Sequence, residues 1–320
     1  MTEPTPNEAI ARIVDHIDRR VLGQREAAEQ LVIAYLAGGH ALLEGVPGIG
    51  KTRLARSFAE ALGLGLARVQ FTPDLMPADI TGSNVFDPGK REFELLRGPV
   101  FADLLLADEI NRTPPKTQSA LLEAMQERQV SIDGTTYPLQ ESFFVIATQN
   151  PIDFEGTYAL PEAQADRFLL SIGMQRPDRE EEMELYRMAL REDLQHFESA
   201  EQVVTAEEAR ALRKASRGVH CSEEILNYLH QMAVALRNDT AVELGVSPRG
   251  ALALLEASRA APLLDERDFV IPDDLQRLAV PCWAHRILLT AEAELEGVTP
   301  SQAVEAAVRS VEVPRNPASA

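Results

Sequence analysis

At 320 residues, with 45% apolar and 25% charged side chains, the chain has the make-up of a soluble globular protein with a full core and enough length for two domains. Fifty acidic against 31 basic residues leave a net charge of −19, a surface that repels nucleic-acid phosphates and anionic lipid unless a basic patch intervenes, and no run of Lys or Arg makes such a patch. Cys221 and Cys282 stand far apart outside any C-x-x-C pattern, which argues against a zinc site or a disulfide framework and predicts reduced core thiols.

The opening Met1-Thr2-Glu3-Pro4 has no basic region backed by an apolar stretch, and no apolar run approaches the ~18 residues of a spanning helix, so a cytoplasmic protein without a membrane span is expected. Thr5-Pro6-Asn7-Glu8 spells a capping box with proline at the first helical position, and Ile10, Ile13, Val14, Ile17 and Val21 then recur on one helical face. Ala41-Leu42-Leu43 suits a short buried strand. It runs into Gly45-Val46-Pro47-Gly48-Ile49-Gly50-Lys51-Thr52, a complete G-x-x-x-x-G-K-T pattern, and the residues from Thr52 to Leu62 have helical periodicity before Gly63. Strand, glycine loop and helix is the order a phosphate cradle needs. The glycines let backbone N–H groups turn inward, the helix adds the positive end of its dipole, Lys51 would reach the β- and γ-phosphates of ATP, and Thr52 would hold Mg²⁺.

Further buried parallel strands are predicted at Ala67 to Phe71, Leu104 to Ala107, Phe143 to Ala147 and Phe168 to Ile172. Strands alternating with helices imply an α/β sandwich with ligands at the carboxyl ends of the strands. Two hairpins interrupt it: Val85-Phe86 and Phe93-Glu94-Leu95 flank Asp87-Pro88-Gly89-Lys90, and Val130-Ser131-Ile132 and Tyr137-Pro138-Leu139 flank Asp133-Gly134. They serve either as contact devices or as covers for sheet edges. Beyond Arg176-Pro177-Asp178-Arg179 the pattern turns almost wholly helical, with a capping box at Thr205, a helix from Ser222 carrying Ile225, Leu229, Met232 and Leu236, another from Pro248 carrying Leu252 and Leu255, and starts at Pro272 and Pro300. The expected division is 1–176 for the α/β domain with its hairpins, 177–313 for a helical domain and 314–320 for a flexible tail.

Asp108-Glu109 closes an apolar strand, where Asp108 would orient Mg²⁺ and Glu109 would act as general base on the attacking water. Asn150 ends the next strand, where an amide bridges γ-phosphate and water or simply caps a turn. Arg167, before the last strand, and Arg249, in Ser247-Pro248-Arg249, are suited either to spread phosphoryl charge or to surface ion pairs.

In this order the motifs resemble the AAA+ ATPases, and within them the MoxR group, over nearly the whole chain. Val21-Leu22-Gly23-Gln24 looks like the adenine-side box, and Gly38-Gly39-His40 leads into the phosphate loop. Gln70-Phe71-Thr72-Pro73-Asp74-Leu75-Met76-Pro77-Ala78-Asp79-Ile80-Thr81-Gly82 is typical of the group. Asp108-Glu109-Ile110-Asn111-Arg112, Ala147-Thr148-Gln149-Asn150-Pro151 and Gln164-Ala165-Asp166-Arg167-Phe168 follow. The resemblance implies a P-loop AAA+ parallel-sheet sandwich with a smaller all-helical lid, Gln24 on the adenine side, Asn150 as sensor 1, Arg167 as an arginine finger offered to a neighbour's ATP in a hexameric ring, and Arg249 as sensor 2 acting in cis or in trans. It identifies the hairpins as the helix-2 insert and the hairpin before sensor 1. It also implies chaperone-like maturation of partner proteins beside a protein with a von Willebrand factor A domain. Pro281-Cys282-Trp283-Ala284-His285-Arg286 departs from the family's apolar pair at Cys282-Trp283, and His285 is read as structural. A nucleic-acid motor and a nucleotide-gated scaffold without turnover are the alternatives on the same core, the first disfavoured by the acidity.

Overall fold

The computed structural model describes residues 5–150, 158, 160–190 and 202–314; the opening tetrapeptide, Pro151 and the tail after Pro314 lie outside the described residues. Helix α1 (Pro6–Arg20) begins on the predicted capping box, with Thr5 N–H donating to Glu8 Oε2 at 2.9 Å and Glu8 N–H to Thr5 Oγ1 at 3.4 Å. Its face of Ile10, Ile13, Val14 and Ile17 is buried. Then follow α2 (Arg25–Leu36), β1 (Ala41–Glu44), α3 (Lys51–Ala61), β2 (Leu66–Gln70), α4 (Pro77–Thr81), the hairpin β3 (Gly82–Asp87) and β4 (Glu92–Arg97), and β5 (Leu104–Asp108). After α5 (Pro115–Glu127) come the hairpin β6 (Gln129–Ile132) and β7 (Thr135–Pro138), then β8 (Phe144–Gln149), α6 (Glu162–Ala165) and β9 (Leu170–Gly173).

One five-stranded parallel sheet runs in the order β2, β5, β8, β1, β9, with Leu42 opposite Ala147 and Ser171, and Leu105 opposite Ala67 and Val145. Side chains alternate along each strand, so the sheet feeds two cores. Leu43, Leu106, Ile146 and Ile172 pack with α1, α2 and α3, whereas Leu42, Leu105, Ala107 and Val145 pack with Leu121, Leu122 and Met125 of α5. β9 starts later than its apolar run suggests, because Phe168 N–H still closes the turn after α6 on Ala165 O at 3.0 Å. Both hairpins stand where predicted. Asp133 and Gly134 have φ of +49° and +81°, the pair of left-handed residues that a tight hairpin turn demands. Asn84 Nδ2 donates to Asp133 Oδ2 at 2.9 Å and ties one hairpin to the other.

Helices take over with α7 (Arg179–Leu190), α8 (Ala206–Ser216) and α9 (Glu223–Arg237), and continue after β10 (Val242–Leu244) with α10 (Pro248–Ala260) and α11 (Pro272–Trp283). β11 (Leu288–Leu289), α12 (Ala291–Leu295) and α13 (Pro300–Ser310) complete the chain. This half is not all-helical: β10 and β11 pair antiparallel, each extended segment satisfying backbone groups the other leaves open. The face of α10 also differs from expectation. Leu252 is 61% exposed, while Gly250, Leu254 and Ala257 turn inward. Cys282 is buried as expected, but Cys221 is only half-buried. Trp283 fills the core completely, its Nε1–H donating to Gly250 O at 2.9 Å, which accommodates the unusual Cys282-Trp283 pair. The core on the α1–α3 side continues without a break into α9, α10 and α11.

Candidate functional site

The glycine loop leaves the end of β1 and enters α3. Gly48 and Gly50 have φ of +81° and +102°, and a Cβ on Gly48 would meet nothing within 4 Å, so backbone conformation rather than space demands glycine there. Gly50 caps α3, whose first N–H groups have no partner within the helix and open toward the loop. Pro47 and Gly48 are exposed at the crown, Val46 is half-buried, and Ile49 packs against the core.

Sheet order brings the other residues to this loop, since β8 lies between β1 and β5. Lys51 Nζ donates to the carbonyls of Gly45 and, at 2.9 Å, Gln149. Burial lowers its pKa, opposed by Asp108, Glu109 and Glu44. Thr52 Oγ1 donates to Asp108 Oδ2 at 3.1 Å, and Thr148 Oγ1 donates to Asp108 Oδ1 at 2.7 Å while accepting Glu109 N–H at 2.9 Å. Glu109 has φ of +57°, a left-handed conformation in a non-glycine residue that costs about 1–3 kcal/mol.

Two partners of the acidic pair were missed in the sequence. Arg68 donates to Asp108 Oδ2 from Nη2 at 2.7 Å and from Nε at 3.1 Å, and Gln70 Nε2 donates to Glu109 Oε2 at 2.9 Å, beside Arg112 Nη1 at 2.8 Å. Arg68 and Gln70 lie on the same face of β2, and the register sets Gln70 opposite Asp108. The alternation of Arg68 and Gln70 on a strand of otherwise small and apolar residues was the signal available.

Asn111 Nδ2 donates to the carbonyl of Asn150 at 3.4 Å, and the buried Oδ1 of Asn150 has no partner among the described residues. Gln24, 2% exposed at the start of α2, donates from Nε2 to Gln175 O at 2.6 Å and so joins the segment before α2 to the one after β9. Arg167 and Arg249 form a separate group. The Nε of Arg167 is buried and unpartnered among the described residues, and Arg249 Nε stands 3.6 Å from Asp166 Oδ2. Arg286, 7% exposed, donates from Nε to Asp166 Oδ1 at 2.8 Å and from Nη1 to Leu169 O at 3.0 Å, gripping the segment that bears Arg167. His285 meets Phe168 O at 3.0 Å through Nε2, a structural contact of the same grip.

The loop group fits a magnesium nucleotide: left-handed glycines at a helix N-terminus, an ammonium bonded only to carbonyls among the described residues, and oxygen donors from Thr52 and Asp108 of the kind a hard cation takes.

Residues 40–170 match the family model described as ATPase family associated with various cellular activities (AAA), and residues 234–307 match the AAA lid domain. Chaperone MoxR1 of Mycobacterium tuberculosis is 39% identical over 96% of this chain and 82% of its own length. The chain belongs to the MoxR family of AAA+ ATPases. The Bacillus subtilis protein YeaC is likewise 45% identical over 95% of both chains. A crystal structure from Cytophaga hutchinsonii superposes with a TM-score of 0.88 at 38% identity, covering 97% of this chain and 96% of that one. The MoxR-family fold is thus an α/β AAA+ sheet carrying a helical lid. α7 and α8 fall between the two matched segments.

Proposed function

We propose that this MoxR-family chain hydrolyses ATP with Mg²⁺ in a hexameric ring and uses the cycle to remodel or mature partner proteins in the cytoplasm. The convergence of Lys51, Thr52, Asp108 and Glu109 around the end of β8 carries the reading. Backbone N–H groups from Gly45 to Gly50, with Lys51, would bind the phosphates. Gln24 would border the adenine. Mg²⁺, held by Thr52 and oriented by Asp108, would supply positive charge to the phosphoryl oxygens. Glu109 would take a proton from water as its oxygen bonds to the γ-phosphorus and the bond to the β–γ bridging oxygen breaks, leaving ADP and phosphate. Asn150, its Oδ1 unpartnered, would position that water as sensor 1.

Arg167 would complete the charge stabilisation in a neighbour's site, and its separation from the loop group supports action in trans. Asp166 joins Arg249 to the same segment, which supports sensor 2 working from that side as well. The domain boundary is taken at 176/177. The exposed Phe86 and Phe93, packed edge to face at 5.4 Å on the β3–β4 hairpin, offer a client-binding surface; a von Willebrand factor A domain protein is the proposed companion. The name Chaperone MoxR1 of the mycobacterial relative supports the remodelling role.

Glu109→Gln tests the reading. ATP binding is retained and phosphate release falls by about 10²-fold or more; turnover at the wild-type rate overturns the assigned base, and no phosphate release from the wild type favours the non-hydrolysing scaffold.

A further inference from the structure

No run of Lys or Arg is visible along the chain, yet folding assembles a basic patch. Arg210, Arg213, Lys214 and Arg217 follow the i, i+3, i+4, i+7 spacing of one face of α8 and the turn after it. Arg128, at the end of α5, joins them: its Nη1 and that of Arg213 both donate to Glu141 O, at 3.1 and 3.0 Å. The four cations from α8 and its turn line a cavity of about 380 Å³ beside the start of β8, at the opposite end of the sheet from the glycine loop. That volume lies within the ~300–1,000 Å³ typical of small-molecule sites.

The cavity has the chemistry of an anion site. Arg213 is 5% exposed, and its Nε and Nη2 have no hydrogen-bond partner among the described residues. Its guanidinium lies 5.6 Å from the ring centroid of Tyr35, whose hydroxyl is also buried and unpartnered among the described residues. Burial, then the neighbouring charges of Arg128 and Arg217, lowers the pKa of Arg213 to about 10. Glu141 is the carboxylate at the rim, since nearby Asp103 is engaged by Ser142 Oγ at 2.7 Å and Gly65 N–H at 3.2 Å. Arg210, Lys214 and Arg217 are exposed and make no ion pair among the described residues. Cations gathered this way repel one another, and a bound anion relieves the repulsion.

We propose that this cavity binds a small soluble anion bearing one or two phosphate groups, at a site separate from the nucleotide loop. Arg213 forms the floor; Arg210, Lys214 and Arg217 close on the phosphoryl oxygens from the rim, where guanidinium forks match their geometry.

Inorganic pyrophosphate is the probe, titrated calorimetrically into the full chain. Lys51→Ala, which weakens the glycine loop alone, retains uptake of about one equivalent per chain. Adding Arg210→Gln and Arg217→Gln to that variant, both at exposed positions, weakens uptake by at least about tenfold while the thermal midpoint does not fall, since the changes relieve repulsion. Absence of uptake in Lys51→Ala, or uptake indifferent to the two arginine changes, overturns the site. A vesicle arm carrying phosphatidic acid distinguishes sources: sedimentation with vesicles in place of pyrophosphate uptake overturns the soluble ligand.

Discussion

Asp108 is pulled from two sides, by Thr52 on the glycine-loop helix and by Arg68 from β2. A guanidinium on Oδ2 occupies the oxygen that a cation held with Thr52 would share, so in the proposed site it would compete with Mg²⁺. Arg68 is half-exposed and the pair is worth about 1 kcal/mol at most. Arg68→Gln is therefore expected to lower the Mg²⁺ concentration needed for half-maximal binding of a fluorescent ADP, by about fivefold at most; an unchanged midpoint removes the competition. His40 makes a second case at this scale. Its Nδ1 accepts Val145 N–H at 3.0 Å, its Nε2 meets Met125 O at 3.3 Å, and burial holds its pKa at about 3. The folded state refuses a proton that the unfolded chain takes up near pH ~6.5, so stability is complete above that value and falls by about 1.4 kcal/mol per pH unit on acidification toward ~3. Urea unfolding near pH 6.5 and near pH 5 should show a loss that is smaller by about 2 kcal/mol in His40→Gln than in the wild type.

Among the elements, the joint between α11 and β9 decides how Arg167, the proposed finger, is presented. Arg286 follows α11 and spends its guanidinium on Asp166, Phe168 and Leu169, the residues on either side of Arg167. Without the guanidinium, Phe168 O keeps His285 and Asp166 keeps the more distant, exposed Arg249, but Asp166 loses its close charge-assisted bond and Leu169 O its Nη1 donor. Arg286→Leu is expected to cost about 3 kcal/mol in urea unfolding; a loss below about 1 kcal/mol would show that the grip is incidental. The β3–β4 hairpin is an element of the opposite kind. It exposes Phe93 at 71% and Leu96 at 65% and is tied through Asn84 to Asp133 of the other hairpin, whose Val130 and Ile132 are buried in the α5-side core. Surfaces of this composition are retained for contact, not for stability.

For the molecule as a whole, the loop group and the Arg167–Arg249 group require two protomers to make one complete site in the proposed ring. Lys51→Ala and Arg167→Ala should each be inactive alone. Mixed in equal amounts, they should recover roughly a quarter of wild-type turnover, because random assembly pairs an intact loop with an intact finger at that frequency. No recovery in mixed rings would place the finger in cis. The net charge of −19 and the basic cavity near β8 also belong to this scale: the acidity is global, and four of the 31 basic residues are gathered around one cavity.

Local spelling determined a great deal. The glycine loop, the capping boxes at Thr5 and Thr205, the Asp133-Gly134 turn and the apolar strands each depend on neighbours a few residues away, so their physics is written in consecutive positions. The MoxR-family motifs added order to those pieces. Leu252 turned outward and the β10–β11 ribbon formed because helix rotation and strand pairing answer to partners far along the chain. The same holds for the site. Asp108 and Glu109 were legible as an acidic pair at a strand end, but their contacts to Arg68 and Gln70 required the register between β2 and β5, and the patch around Arg213 required α8 to settle beside the start of β8. Sequence by itself determined which chemistry the chain carries; tertiary structure alone decided which charges face each other, because electrostatic energy depends on distances through space that the order of residues does not contain.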